Sequence, residues 1–143
     1  MEMKRFVFRR KPMNKVMLEK LPDARDIQGA KRWVEERGEF VQVAYQEEMR
    51  HLALFEIRKG YFRGNHYHEK KEEIFYIFHG RIRALFKDID SLAGKEEILL
   101  EKGDKIRLKP RCGHIFHGLE DTLVVEYSPQ DFDPSDSYPI NLL

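Results

Sequence analysis

Apolar and polar positions alternate through most of the chain after residue 38. "EFVQVAY", "HLALFEI", "EIFYIF", "RIRALF", "EEILLE", "DKIRLK" and "TLVVEY" are short, rich in β-branched or aromatic residues, and mostly place an apolar side chain at every second position. A period of two sends successive side chains to opposite faces, so each segment predicts a strand with one face on a core. Between them stand "RKG", "HG", "LAG" and "KGD", which supply the glycines that tight turns use. Seven such strands at near-regular spacing over about 100 residues predict an antiparallel sandwich or barrel.

Two segments break this rhythm. "DIQGAKRWVEERG" carries a helical pattern: Ala30, Trp33 and Val34 form a stripe, Asp26 can cap the start, and Gly38 can end it. It predicts a short helix covering one end of the barrel. The tail "PQDFDPSDSYPINLL" holds three prolines and several aspartates and predicts an extended arm, packed on its own domain or on a partner subunit. The expected organisation is one all-β domain, with an extension and helix over 1–37, a barrel over 38–128 and an arm over 129–143.

Composition narrows the partners. The 143 residues suit one domain. Charged residues make up 36%, yet 26 Lys and Arg nearly balance 25 Asp and Glu, for a net charge of +1. Such a balance gives no general attraction to nucleic acid or to an acidic membrane, and the basic stretch "KRFVFRRK" is short. No apolar run approaches the roughly 20 residues that span a bilayer. "MEMKRFVFRRKPMNKV" lacks the apolar centre of a signal peptide. The single cysteine, Cys112, cannot form an internal disulfide, as expected of a reducing compartment. A cytoplasmic location is the expectation.

The chemistry concentrates in "FRGNHYHEKKEE", residues 62–73. Side chains at i and i+2 of a strand share a face, so His66 and His68 project together. "EKKE" reads as a turn, after which Glu73 shares a face with Phe75 and Ile77. If that face lines the barrel, a carboxylate arrives beside two imidazoles. His114, after the Pro-containing turn in "GDKIRLKPRCGHIFHGLED", is a fourth donor. Three imidazoles and a carboxylate suit Zn²⁺, Fe²⁺, Mn²⁺, Co²⁺ or Ni²⁺ and leave room for water or substrate. Each residue also has a plain reading, since a strand can present two histidines outward and Glu72 and Glu73 can belong to a solvated charge run with Lys70 and Lys71.

The joint spacing separates these readings. Gly60, His66, His68, Glu73 and Gly80 fill every position of G-x5-H-x-H-x4-E-x6-G, and Gly103, Asp104, Pro110 and His114 follow the second half of the same pattern. The chain resembles the cupin superfamily over residues 38–128. That resemblance implies a double-stranded β-helix, the jelly-roll barrel, with one divalent transition metal held by His66, His68, Glu73 and His114. In the second motif the usual Pro-x-Gly turn is Pro110-Arg111-Cys112, and Cys112 is either a small turn residue or a thiol near the metal.

Local words point further. "RGNHYH" resembles the "RG-x-H" of cupins that epimerise or isomerise nucleotide-linked deoxysugars, and the cupin tail of capsular-polysaccharide enzymes. "ERGEF" and "DFDPSDSYPI" resemble segments of the same groups. The resemblance implies a sugar or sugar-nucleotide substrate and proton transfer next to a carbonyl, assisted by the metal. Arg63, and behind it Arg83, Arg107 and Arg111, are candidates to hold a diphosphate. Tyr61, Tyr76 and Tyr127 are the main candidates for the acid. Two other classes share the ligand set: an Fe- or Mn-dependent dioxygenase or decarboxylase of a small acid, and a non-catalytic sugar-binding cupin. Single-domain cupins commonly form homodimers, which is the expectation here.

Overall fold

The computed structural model describes residues 14–143, so the basic "KRFVFRRK" segment lies outside the described residues. Twelve strands run through the described part: β1 (Val16–Lys20), β2 (Lys31–Glu35), β3 (Gly38–Gln42), β4 (His51–Ile57), β5 (Phe62–Tyr67), β6 (Glu73–His79), β7 (Arg81–Asp88), β8 (Glu96–Glu101), β9 (Asp104–Leu108), β10 (Cys112–Gly118), β11 (Thr122–Ser128) and β12 (Tyr138–Pro139). They form two five-stranded sheets, ordered β1-β9-β6-β11-β4 and β12-β5-β10-β7-β8, plus the separate β2-β3 hairpin. All named strand pairs are antiparallel.

The inner faces of the two sheets make the core. Phe75, Ile77, Ile106, Leu108 and Val124 from the first sheet meet Ile82, Ala84, Phe86, Leu100 and Phe116 from the second. The alternation in the sequence forces this, because each strand has only one apolar face to bury. Phe75 and Phe116 pack edge to face across the sheets, with ring centroids 5.0 Å apart, a favoured geometry for aromatic pairs. Cys112 belongs to this core at 2% exposure. Burial, and then the Asp88 charge, push its thiol up to about 12, so it is a packing residue rather than a nucleophile.

The helix expected over "DIQGAKRWVEERG" is a β-hairpin instead. Glu36 and Arg37 form a two-residue turn, and Gly38 adopts a φ of 137°. Across the strands Trp33 stacks on Phe40 at 4.3 Å, and Arg32 Nε donates to Glu39 Oε2 at 2.6 Å. Val34, a member of the supposed helical stripe, is 63% exposed. Three apolar residues at i, i+3 and i+4 also fit alternating strand faces, and cross-strand partners supplied by the next segment outweigh the helical propensity. In the arm, Tyr138 and Pro139 pair with Tyr67 and His66 of β5.

Candidate metal centre

The site is built where β5 bends. Its pairing with β10 shifts register between His114 and Ile115, and Asn65 takes a φ of 72° and Gly64 one of 106°. A Cβ on Gly64 would stand 2.8 Å from the His114 carbonyl oxygen. The glycine therefore lets β5 approach β10 closely at the bulge, which places His66 directly opposite His114. Thus "RGN" is first a backbone device that turns the next histidines inward.

His66, His68, Glu73 and His114 each offer one donor atom, and these four atoms lie within 4.8 Å of one another. Glu73 Oε1 is 3.2 Å from His68 Nε2 and 3.3 Å from His114 Nε2. Glu73 and His114 are 4% and 3% exposed. Each of two imidazoles is fixed by its other nitrogen: His68 Nδ1 bonds to the Asp136 carbonyl, and His114 Nδ1 lies 3.2 Å from the Cys112 carbonyl. A carbonyl only accepts, so both Nδ1 atoms carry the hydrogen, and in the neutral rings both Nε2 atoms present lone pairs. Those lone pairs face a carboxylate oxygen, and His68 Nε2 has no aligned hydrogen-bond partner despite the short contact. With both rings neutral, three acceptors are in contact, and a proton on His68 or a metal ion between them would relieve the repulsion.

The two Glu73 separations suit a metal ion. Two donors about 2.1 Å from a common ion lie about 3.0 Å apart at a right angle and about 3.4 Å apart at the tetrahedral angle. The residues present therefore fit a divalent metal. Protonation is disfavoured at two of the three imidazoles: burial, and then His114 and His68, lower His66 to about 4, and burial lowers His114. At His68 burial is outweighed by the Glu73 carboxylate, and the net shift is upward. Burial would raise Glu73, but His68, His114 and Lys71 outweigh it and hold it at about 2.

A cavity of about 360 Å³ opens over the cluster, lined by Phe55, Phe62, Arg63, Gly64, His66, Glu73, Phe75, His114, Phe116 and Glu126. Its size falls within the range of about 300–1,000 Å³ usual for small-molecule sites. Arg63 stands in its wall, held by a 2.7 Å bond from Nε to the Glu56 carbonyl and by the Phe55 ring 5.2 Å away.

The other candidates lie elsewhere. Arg83 pairs with Glu97 at 2.9 Å on the outer face of β7. Arg107 bonds to Glu47 at 2.6 Å and Glu72 at 2.9 Å and lines a different depression with Met17 and Lys105. Arg111 is spent on Asp90 and Glu69, both at 2.7 Å. Tyr76 and Tyr127 are on the faces of β6 and β11 turned away from the cavity: Tyr76 meets Arg32 of the hairpin and Tyr127 donates to Glu47 at 2.7 Å. Tyr61 is 68% exposed and lines a neighbouring depression.

Two residues reach the site without having been expected there. Glu126 of β11 lines the cavity, 4.0 Å from His51 Nε2, and burial followed by the Glu73 charge raises its pKa. Lys71 Nζ is 3.3 Å from Glu73 Oε2 with its side chain 11% exposed. Glu126 was readable, because it shares a face of "TLVVEYS" with the buried Val124. Lys71 sits in a turn whose path depends on distant residues.

The sequence profile of the Polysaccharide biosynthesis C-terminal domain family matches residues 33–133. The chain belongs to that family. No match was found among curated proteins. Solved structures with the same fold include dTDP-4-dehydrorhamnose 3,5-epimerase from Sulfolobus tokodaii, at 21% identity and TM-score 0.71, with 89% of this chain and 77% of that chain covered. ChmJ, a 3'-monoepimerase from Streptomyces bikiniensis, matches at 15% identity and TM-score 0.74 over 91% of this chain and 72% of that one. The capsular polysaccharide assembling protein CapF from Staphylococcus aureus matches at 20% identity and TM-score 0.59. Its alignment covers 78% of this chain but only 34% of CapF. These likenesses establish the cupin-type jelly roll. In this member of the polysaccharide biosynthesis C-terminal domain family, no helix among the described residues is long and apolar enough to cross a membrane.

Proposed function

We propose that the chain binds a divalent metal and epimerises or isomerises a nucleotide-linked keto-sugar. The observation that carries this reading is the convergence of Nε2 lone pairs on Glu73 at the floor of a cavity with a second carboxylate, Glu126, in its wall. His66, His68, Glu73 and His114 would hold the ion, which when bound supplies Lewis-acid polarisation of a carbonyl.

The chain's own residues do the rest. Glu126, in the cavity wall, would take a proton from the carbon next to the carbonyl and return it. His51, 4.0 Å behind it, offers the proton a route onward. Phe55, Phe62, Phe75 and Phe116 give the cavity apolar walls. A depression of about 480 Å³ shares Phe62 and Arg63 with the cavity and adds Arg58 and Tyr61. A diphosphate on Arg63 would connect the two spaces, with the sugar in one and the nucleoside in the other. The substrate class accords with structural neighbours described as a dTDP-sugar epimerase and a 3,4-ketoisomerase.

The test is solvent exchange. TDP-4-keto-6-deoxyglucose is incubated with the protein in D₂O and followed by NMR. Deuterium entering beside the carbonyl, lost on chelation and in Glu126→Gln, is expected. Exchange that survives chelation would make His66, free of a metal, the candidate base. O₂ uptake or CO₂ release from a small acid would favour an oxygenase or decarboxylase. Binding without exchange would leave a sugar-binding module.

A further inference from the structure

The arm and the metal centre meet at one residue. Asp136 is 6% exposed. Its carboxylate accepts the backbone N–H groups of Glu69 at 2.8 Å, Lys70 at 3.1 Å and Lys71 at 3.2 Å, while its carbonyl accepts Nδ1–H of His68. Consecutive amides gathered on one carboxylate form a charge-assisted clasp that fixes the turn between His68 and Glu73. Beyond Asp136 the arm stays zipped to β5: Ile140 N donates to the Asn65 carbonyl at 3.1 Å, and Leu142 N to Asn65 Oδ1 at 2.9 Å.

We infer that residues 136–142 act as a strap that positions the metal centre, with Asp136 as its positioning residue. The inference rests on the metal reading above. The Asp136 carbonyl orients the His68 ring and fixes its tautomer; its carboxylate sets the turn that delivers Glu73 and brings Lys71 Nζ to 3.3 Å from Glu73 Oε2. Outer partners of this kind typically govern metal affinity by about 10–100-fold. Coupling is reciprocal, so a metal that holds His68 also tightens the arm.

The experiment measures Co²⁺ affinity by chelator competition, together with the visible Co²⁺ spectrum, for wild type, Asp136→Ala, Asp136→Asn and the control Asp133→Ala. Asp133 is exposed, and its side chain bonds to Ser135 rather than to the turn. The expected result is a weakening of about 10–100-fold with an altered spectrum in D136A, a smaller change in D136N, and wild-type behaviour in D133A. Wild-type affinity and spectrum in D136A would overturn the strap while leaving the metal reading intact. A wild type that takes up neither Co²⁺ nor Zn²⁺ overturns both. In case the variants misfold, amide exchange at Glu69, Lys70, Lys71, Ile140 and Leu142 is compared in wild type with and without metal. Slowing by about tenfold or more on loading is expected from the same coupling, and equal rates would refute it.

Discussion

Gly64→Ala tests how the site is assembled. The added Cβ would lie 2.8 Å from the His114 carbonyl oxygen and 3.1 Å from the Ile115 Cα, in a residue whose φ is 106°. Both obstacles are backbone, which cannot rotate aside as a side-chain end can. Holding a non-glycine residue in that conformation costs about 1–3 kcal/mol. Overpacking costs a further 1–3 kcal/mol or so, partly relieved if β5 moves off β10. The sum is roughly 2–5 kcal/mol, a large share of the 5–15 kcal/mol or so that holds a domain folded. For a chain of this size it lowers Tm by roughly 6–20 °C. Relief by separation would move His114 away from His66, so metal affinity should fall even in the fraction that folds. Gly94→Ala is the control, with nothing within 4 Å of its Cβ and an expected change within about 0.5 kcal/mol. Calorimetry and urea unfolding measure the stabilities, and chelator competition the affinity. A G64A protein that melts with G94A and binds metal normally would refute the close-approach account.

Two further outcomes follow from the same geometry. Burial alone would raise Glu47, but bonds from Arg107, Tyr127 and Lys105 outweigh it and lower it from 4.5 to about 2. A carboxylate whose folded pKa is depressed contributes stability above its unfolded pKa and loses it as pH falls through the folded value. Stability should therefore drop between pH 4.5 and about 2, and Glu47→Gln should flatten that slope. The variant should cost about 1–3 kcal/mol at neutral pH after allowance for solvent screening, read from urea unfolding at several pH values. Cys112, buried and with its thiol at about 12, should resist alkylation in the native protein and react on unfolding; rapid stoichiometric labelling of folded protein at pH 8 would contradict its place in the core.

The strands were legible where burial is one-sided. "HLALFEI" and "EEILLE" correspond residue for residue to β4 and β8, because alternation is dictated by a core on one face and solvent on the other. His66, His68 and Glu73 could be placed together from spacing, since i and i+2 at the end of β5 and the inward face of β6 are local properties, whereas His114 on β10 was joined to them by the resemblance to cupins. The β2-β3 hairpin was not. Its stability comes from pairs such as Trp33 with Phe40 and Arg32 with Glu39, and a helical stripe of three residues cannot exclude them. Arg83 and Arg107 were attractive as phosphate ligands only while their carboxylate partners were unknown. Lys71 is placed by an aspartate 65 positions away, a relation no local pattern carries.

His68 is held from two sides. Asp136 accepts from its ring, and its own carbonyl accepts the Arg111 amide at 2.7 Å, from a residue at a φ of 65° whose side chain bridges Asp90 and Glu69. Both braces come from chain that follows the His66–His68 pair by more than forty residues. During synthesis the two histidines leave the ribosome well before His114, Arg111 or Asp136. At that stage they are a loose bidentate chelate at most, open to exchange with whatever metal the surroundings offer. The finished, four-donor centre forms only once the jelly roll has closed and the arm has docked. For the proposed metal, the choice would thus be deferred from the nascent chain to the folded one, where donor geometry rather than order of encounter would decide what stays.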